Sequence, residues 1–152
     1  MRRKERDCTS PAYAEEMFRV SEVITVAFND GEFPYSVPLS FAEVNGALYV
    51  HCALEGHKLD CLKHDPHVHF SMYEYIGVDK ELATVRYKCL MGTGLAELVD
   101  DIDEKQAALA ALSSKYESKC TLPVPEKMLA ATAVVRITIL SMSGKKNDKP
   151  AA

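Results

Sequence analysis

The sequence predicts a mainly β, α+β protein: a small antiparallel barrel of about six strands with three or four short helices on its outside. Three observations lead there. The extended runs alternate apolar and polar residues with a period of two. Turn signals such as Asn29-Asp30-Gly31 and Asn45-Gly46 separate successive runs, which favours hairpins over parallel crossovers. The candidate helices are short and do not follow every strand, so a doubly wound parallel sheet is a poor fit.

The elements follow in order. Ser10 before Pro11 reads as an N-cap with proline at the first helical position, opening a short helix to about Val20. Val23 to Phe28 is rich in β-formers and stops at Asn29-Asp30-Gly31. The next strand starts near Pro34: Tyr35, Val37, Leu39 and Phe41 alternate with Ser36, Pro38, Ser40 and Ala42. Pro38 offers no ladder donor, which places this strand at an edge or a bulge. Its small-residue face leaves room for a flat ligand. Asn45-Gly46 then predicts a two-residue type I′ hairpin turn into a partner strand, Ala47 to Cys52. Leu48, Val50 and Cys52 share one face of it, Tyr49 and His51 the other.

Gly56 breaks the chain, and Lys58 to Lys63 reads as a short helix with Leu59 and Leu62 inward, ended by Asp65-Pro66. A helix start with a lysine in its first turn is an anion site in outline, because its first N–H groups are unpaired and its dipole end is positive. His67 to Tyr73 is a strand with Val68, Phe70 and Met72 on one face, and Glu74 to Leu82 reads as a polar loop. Thr84 to Val99 is a long strand interrupted by Gly92-Thr93-Gly94, the signature of a bulge, a bend or a close backbone approach. Asp103 with Gln106 suggests a capping box for a helix whose Leu109, Leu112 and Tyr116 share a face. Glu126 to Ala131 is a helical turn or two, Thr132 to Ser141 the last strand, and Gly144 to Ala152 a loose polar tail.

The 152 residues make one domain, 1–146, followed by a tail at 147–152. A nucleic-acid binder usually shows a basic face, and a net charge of −4 with a pI near 5.7 forces none. The basic start, Met1-Arg2-Arg3-Lys4-Glu5-Arg6, has no apolar run after it, so neither a signal peptide nor a membrane anchor is expected. The five cysteines, Cys8, Cys52, Cys61, Cys89 and Cys120, are an odd number without a CxxC, which suits reduced thiols in a cytoplasm. His64, His67 and His69 form H-x2-H-x-H, but no carboxylate or cysteine is placed to complete a sphere, so no metal is expected. Arg86, Lys88 and Arg136 lie on strands and read either as a basic strip at a subunit interface or as outward-facing charges.

One block is more specific than these patterns. Pro34-Tyr35-Ser36-Val37-Pro38-Leu39-Ser40-Phe41, then Tyr49-Val50-His51-Cys52-Ala53-Leu54-Glu55-Gly56-His57-Lys58, then Arg86-Tyr87-Lys88-Cys89 and Gly92-Thr93-Gly94, occur in an order that resembles the pyridoxamine-phosphate-oxidase-like FMN-binding split barrels. Within them it is most similar to the nitroimidazole-resistance (Nim-type) reductases. The resemblance runs from about Met1 to Lys146. It implies a six-stranded antiparallel split barrel of Greek-key type, a homodimer with FMN at the subunit interface, and reduction of a small molecule such as a nitro-aromatic. It places Val37, Pro38, Leu39 and Ser40 along the isoalloxazine ring, and leads His51, Cys52 and Ala53 into the phosphate site. Lys58 would neutralise the phosphate, and Tyr87, Lys88 and Cys89 would contact phosphate and ribityl chain. His51 would also be the catalytic or substrate-contacting residue. A phosphate dianion wants a lysine and backbone donors together. Cys52 and Cys89 stand where hydroxyls or glycine are common in that family, and a thiol is a weak partner, so contacts there rest on backbone N–H groups. The alternative is a flavin- or haem-binding module without turnover, with His51, His67 or His69 as iron ligand.

Overall fold

A computed structural model describes residues 4–119 and 121–148. Met1 to Arg3, Cys120 and the last four residues of the tail lie outside the described residues. After a 3-10 turn at Lys4–Arg6, helix α1 spans Pro11–Val20. Its Ser10 cap is as the sequence predicts: the hydroxyl accepts the Tyr13 N–H at 3.2 Å. Strands β1 (Ile24–Asn29), β2 (Pro34–Leu39), β3 (Phe41–Val44) and β4 (Ala47–Cys52) precede α2 (His57–His64). Then come β5 (His67–Asp79), β6 (Thr84–Leu98), α3 (Ile102–Lys115), α4 (Glu126–Ala131) and β7 (Ala133–Asn147).

The seven strands form one antiparallel sheet in the order β2-β1-β5-β6-β7-β4-β3. Its two edge strands, β2 and β3, are consecutive in the chain and separated by Ser40 alone. Edges that close must sit side by side, so the sheet rolls into a barrel split at that seam. The expected count of six becomes seven here. Pro34 to Ala42 keeps one alternation throughout, but Pro34–Leu39 pairs with β1 while Phe41–Val44 pairs with β4. Changing partners breaks the strand at Ser40.

Alternation decides what fills the barrel. Ile24, Val26, Phe41, Leu48, Phe70, Met72, Leu90 and Ile137 are essentially fully buried, each contributing roughly 1.5–3 kcal/mol of transfer free energy. Helix α1 lays Tyr13, Ala14 and Met17 onto β5, β6 and β7. The glycines of β6 serve close approach. A Cβ at Gly92 would meet the Ser141 carbonyl oxygen and, at 2.5 Å, the Phe70 ring; one at Gly94 would meet Ile137 at 2.6 Å. The register of β6 on β7 shifts between Thr93 and Gly94, which is the bulge the paired glycines predict.

Three further boundaries differ from expectation. Glu74 to Asp79 is strand, not loop, because the β6 backbone from Thr84 to Lys88 pairs with it irrespective of its side chains. Strand β7 continues through Gly144 to Asn147, paired with Leu90 to Tyr87, so the tail starts later than Gly144. The α3 cap is Asp101, accepting the Glu104 N–H at 2.7 Å, rather than Asp103. Gln106 is thereby free to hold the backbone of Val124. Among the described residues no helix is long and apolar enough to cross a membrane.

Candidate functional site

The turn at Asn45-Gly46 sets the hairpin register: Val44 faces Ala47, and Phe41 faces Val50. One further step along that register sets Ser40 across from His51, and both line a cleft of about 520 Å3. The His51 ring is exposed and makes no side-chain hydrogen bond or ion pair among the described residues. Next to it, Cys52 ends β4, and burial pushes its thiol pKa up, with the Lys58 ammonium pulling the other way. The chain then turns through Gly56, whose φ of 141° lies in the left-handed region that favours glycine, into α2.

Helix α2 starts without a side-chain cap, whereas Ser10 and Asp101 cap α1 and α3. Lys58 is half-buried in its first turn and has no carboxylate partner among the described residues. Several other basic groups are engaged within the chain. Lys88 pairs with Glu16 at 2.6 Å, Lys63 with Asp60 at 2.8 Å, and Arg136 with Glu104 at 2.8 Å and with Glu97. Lys88 and Arg136 therefore sit in ion pairs within the chain. Arg86 donates to the Asp148 carbonyl oxygen at 2.6 Å, and its buried Nε has no partner among the described residues.

His57 ties the helix start to β2. Its ring packs edge-on against Tyr35 with centroids 4.7 Å apart, and its Nε2 lies 3.5 Å from Asp30 and 3.8 Å from the Cys61 sulfur. Strand β2 pairs on one side only, with β1, so the backbone edge at Val37, Pro38 and Leu39 is open. The missing N–H of Pro38 leaves that ladder intact where it faces away from β1. Tyr35, Val37 and Leu39 pack toward the core while Ser36 and Pro38 face out.

One chain thus sets Ser40 and His51 on one cleft, and Cys52 within electrostatic reach of Lys58, whose helix start is tied to β2 through His57 and Tyr35. It does not bring Tyr87, Lys88 and Cys89 to them. Cys52 pairs with Ala133 at one end of β7, and Tyr87 pairs with Asn147 at the other, roughly 45 Å away along extended chain. Cys89 instead bonds through its backbone to the Tyr13 hydroxyl, its N–H donating at 3.2 Å. Burial raises the pKa of Cys8, Cys52, Cys61 and Cys89, so none of the four is an activated thiolate. All four are free cysteines. His67 and His69 are exposed on the outer sheet face, with His67 Nδ1 2.7 Å from Asp65.

The far wall of the Ser40–His51 cleft comes from α3 and α4, including Leu109, Leu112, Val124 and Met128. The Leu109, Leu112 and Tyr116 stripe was the available signal in the sequence. It showed that one face is covered, not which strands cover it.

These residues fit a phosphorylated flavin in their donor chemistry. An unpaired ammonium, open helix N–H groups and an open strand edge are arranged in succession along β4, α2 and β2.

The model of the pyridoxamine 5′-phosphate oxidase family matches residues 10–146. No curated protein matches the chain. Among solved structures, a candidate 5-nitroimidazole antibiotic resistance protein from Bacteroides thetaiotaomicron aligns with TM-score 0.81 at 24% identity, over 91% of this chain and 85% of its own. The flavocytochrome Anf3 from Azotobacter vinelandii aligns with TM-score 0.85 at 20% identity, over 99% and 73%. An FAD- and heme-binding protein from Mycobacterium smegmatis gives TM-score 0.78 at 21% identity, over 97% and 77%. At these identities the structural likeness establishes the split-barrel fold. With its family model spanning nearly the whole barrel, the chain belongs to the pyridoxamine 5′-phosphate oxidase family.

Proposed function

We propose that the protein is an FMN-dependent oxidoreductase that works as a homodimer and reduces a small molecule such as a nitro-aromatic. The observation that carries this reading is Lys58: a half-buried ammonium, unpaired among the described residues, at an uncapped helix start that follows the β4 strand of His51 and Cys52. When bound, the flavin supplies the electron transfer. The chain's own residues hold and orient. Lys58 and the first N–H groups of α2 receive the phosphate, and the open edge of β2 from Val37 to Leu39 lies along the ring. His51, with Nδ1 and Nε2 both free, donates to or exchanges a proton with the substrate.

The distance of Tyr87, Lys88 and Cys89 from Lys58 within one chain supports a dimer, since a second copy can deliver them to the same phosphate. The outer sheet face it would cover holds Tyr73 and Tyr75, 70% and 63% exposed. Free thiols at the four described cysteines are in keeping with a reducing, cytoplasmic setting.

The test is a spectrum and two titrations. The purified protein should be yellow, release FMN on denaturation and run as a dimer. Lys58→Ala should weaken FMN at least tenfold, about 1.4 kcal/mol, and leave riboflavin, which lacks the phosphate, within twofold. A colourless protein that ignores added FMN refutes the reading, and equal FMN affinity in the variant removes Lys58 from the site. A second reading, haem ligation, is favoured by the exposure of His51, His67 and His69 and by likeness to a flavocytochrome. It predicts a Soret band on haem titration that one histidine substitution abolishes.

A further inference from the structure

The cleft beside His51 is larger and drier than one small ring needs. Its volume is about 520 Å3, within the range that houses drug-sized ligands. A lone five-membered ring would leave most of it empty and its walls short of contacts. The walls are Leu109, Leu112, Val124 and Met128, and no Lys, Arg, Asp or Glu lines it. An anion entering would lose water and find no counter-charge beyond His51. Its polar groups are hydroxyls and one imidazole, all able to donate: Ser40 and His51, one step beyond the Phe41–Val50 pair, with Ser113, Ser118 and Thr132 further along the lining, Ser113 and Ser118 bonded to each other at 2.6 Å. Tyr116 also lines the cleft, but its hydroxyl is engaged, accepting from the Phe41 N–H at 2.9 Å and donating to the Glu22 carbonyl oxygen at 2.5 Å.

The cleft is also preformed. Gln106 grips Val124 with both amide atoms, its Nε2 donating at 2.7 Å and its Oε1 accepting at 2.9 Å. Lys105 donates to the Leu129 carbonyl oxygen at 2.5 Å, fixing α4 against α3. A held wall loses little freedom when a ligand arrives.

We propose that this cleft, which extends beyond the Ser40–His51 edge it shares with the flavin slot, is a binding pocket for an uncharged molecule of two fused aromatic rings carrying a carbonyl acceptor. The carbonyl oxygen takes its hydrogen bond from Ser40 or His51, and the rings lie between α3 and α4. Its position next to the flavin rests on the function proposed above; its preference for neutral rings rests on the walls alone. Phosphorylated or carboxylated substrates are excluded from it.

Two probes of one shape and different charge test this: 2-acetylnaphthalene and 2-naphthoate, measured by calorimetry on the full chain with and without added FMN. The ketone should bind at least tenfold more tightly than the carboxylate. Met128 is 49% exposed, so Met128→Trp can fill the cleft with the fold intact. It should weaken the ketone at least tenfold and change FMN affinity less than twofold. Ser118→Trp, also on the lining, replaces it should that variant not fold. Equal affinity for the two probes overturns the proposal, as does a ketone affinity that both tryptophans leave unchanged. Parallel loss of FMN and ketone overturns the extension of the pocket beyond the flavin slot. Wild-type protein that takes no FMN but binds the ketone in a Met128-dependent way supports the pocket and refutes the flavin reading.

Discussion

Replacing Tyr116 with phenylalanine deletes one oxygen and keeps the ring, so it isolates what holds the barrel seam. The hydroxyl accepts the Phe41 N–H at 2.9 Å and donates to the Glu22 carbonyl oxygen at 2.5 Å. Phe41 is 0% exposed, so in the variant its N–H loses its partner inside the protein. A buried unsatisfied donor costs about 1–3 kcal/mol. Glu22 is exposed, and water can replace the bond to its carbonyl at little cost. The expected loss is therefore about 2 kcal/mol, a drop of roughly 4–8 °C in Tm for a chain of this size. Urea unfolding at fixed protein concentration measures it, with an unchanged m-value expected. Glu81→Gln is the control: Glu81 is exposed in the turn between β5 and β6 and should stay within about 0.5 kcal/mol of wild type. A Tyr116→Phe change as small as the control's would show that the Ser40 break is held by strand pairing alone.

Further expectations follow from single contacts. Gly92→Ala sets a methyl against the Ser141 backbone oxygen and the Phe70 ring, and should destabilise by about 3 kcal/mol or more; a well-folded variant near wild-type Tm would contradict the close approach. Burial lowers the Lys115 pKa from 10.5 to about 8, against the pull of Glu22 and Glu74. The unfolded chain then binds that proton more tightly than the folded one, so stability rises with pH between about 8 and 10.5. Subtracting the stability–pH curve of Lys115→Met from that of wild type should expose this rise, roughly 1 kcal/mol after solvent screening, and a flat difference curve counts against it. Arg136→Met strands Glu97 and Glu104 while keeping the apolar stem. Chemical denaturation should show a loss of about 1 kcal/mol, shrinking in 0.5 M salt.

Much of the site's frame was legible because it is local. The two-residue turn at Asn45-Gly46 counts residue against residue down the hairpin, and that count alone sets Ser40 opposite His51. The Ser10 cap and the alternation of Val68, Phe70 and Met72 are equally short-range consequences of backbone geometry. The split of Pro34 to Ala42 into two strands was not legible, because period two runs through it unbroken and only the identity of the partners, β1 and β4, divides it. The extension of β5 to Asp79 was missed for a related reason: its side chains are mixed, and the ladder to β6 holds it.

Two matters belonged to tertiary structure alone. The stripe of Leu109 and Leu112 declared a covered face, but which surface of the barrel α3 closes over depends on contacts distant in sequence. The separation of Tyr87, Lys88 and Cys89 from Lys58 depends on strand order, since β7 pairs with β4 at one end and with the Tyr87 end of β6 at the other. Local periodicity sets which way a side chain points along its own strand; it carries no information about which strands, tens of residues apart, will lie beside it.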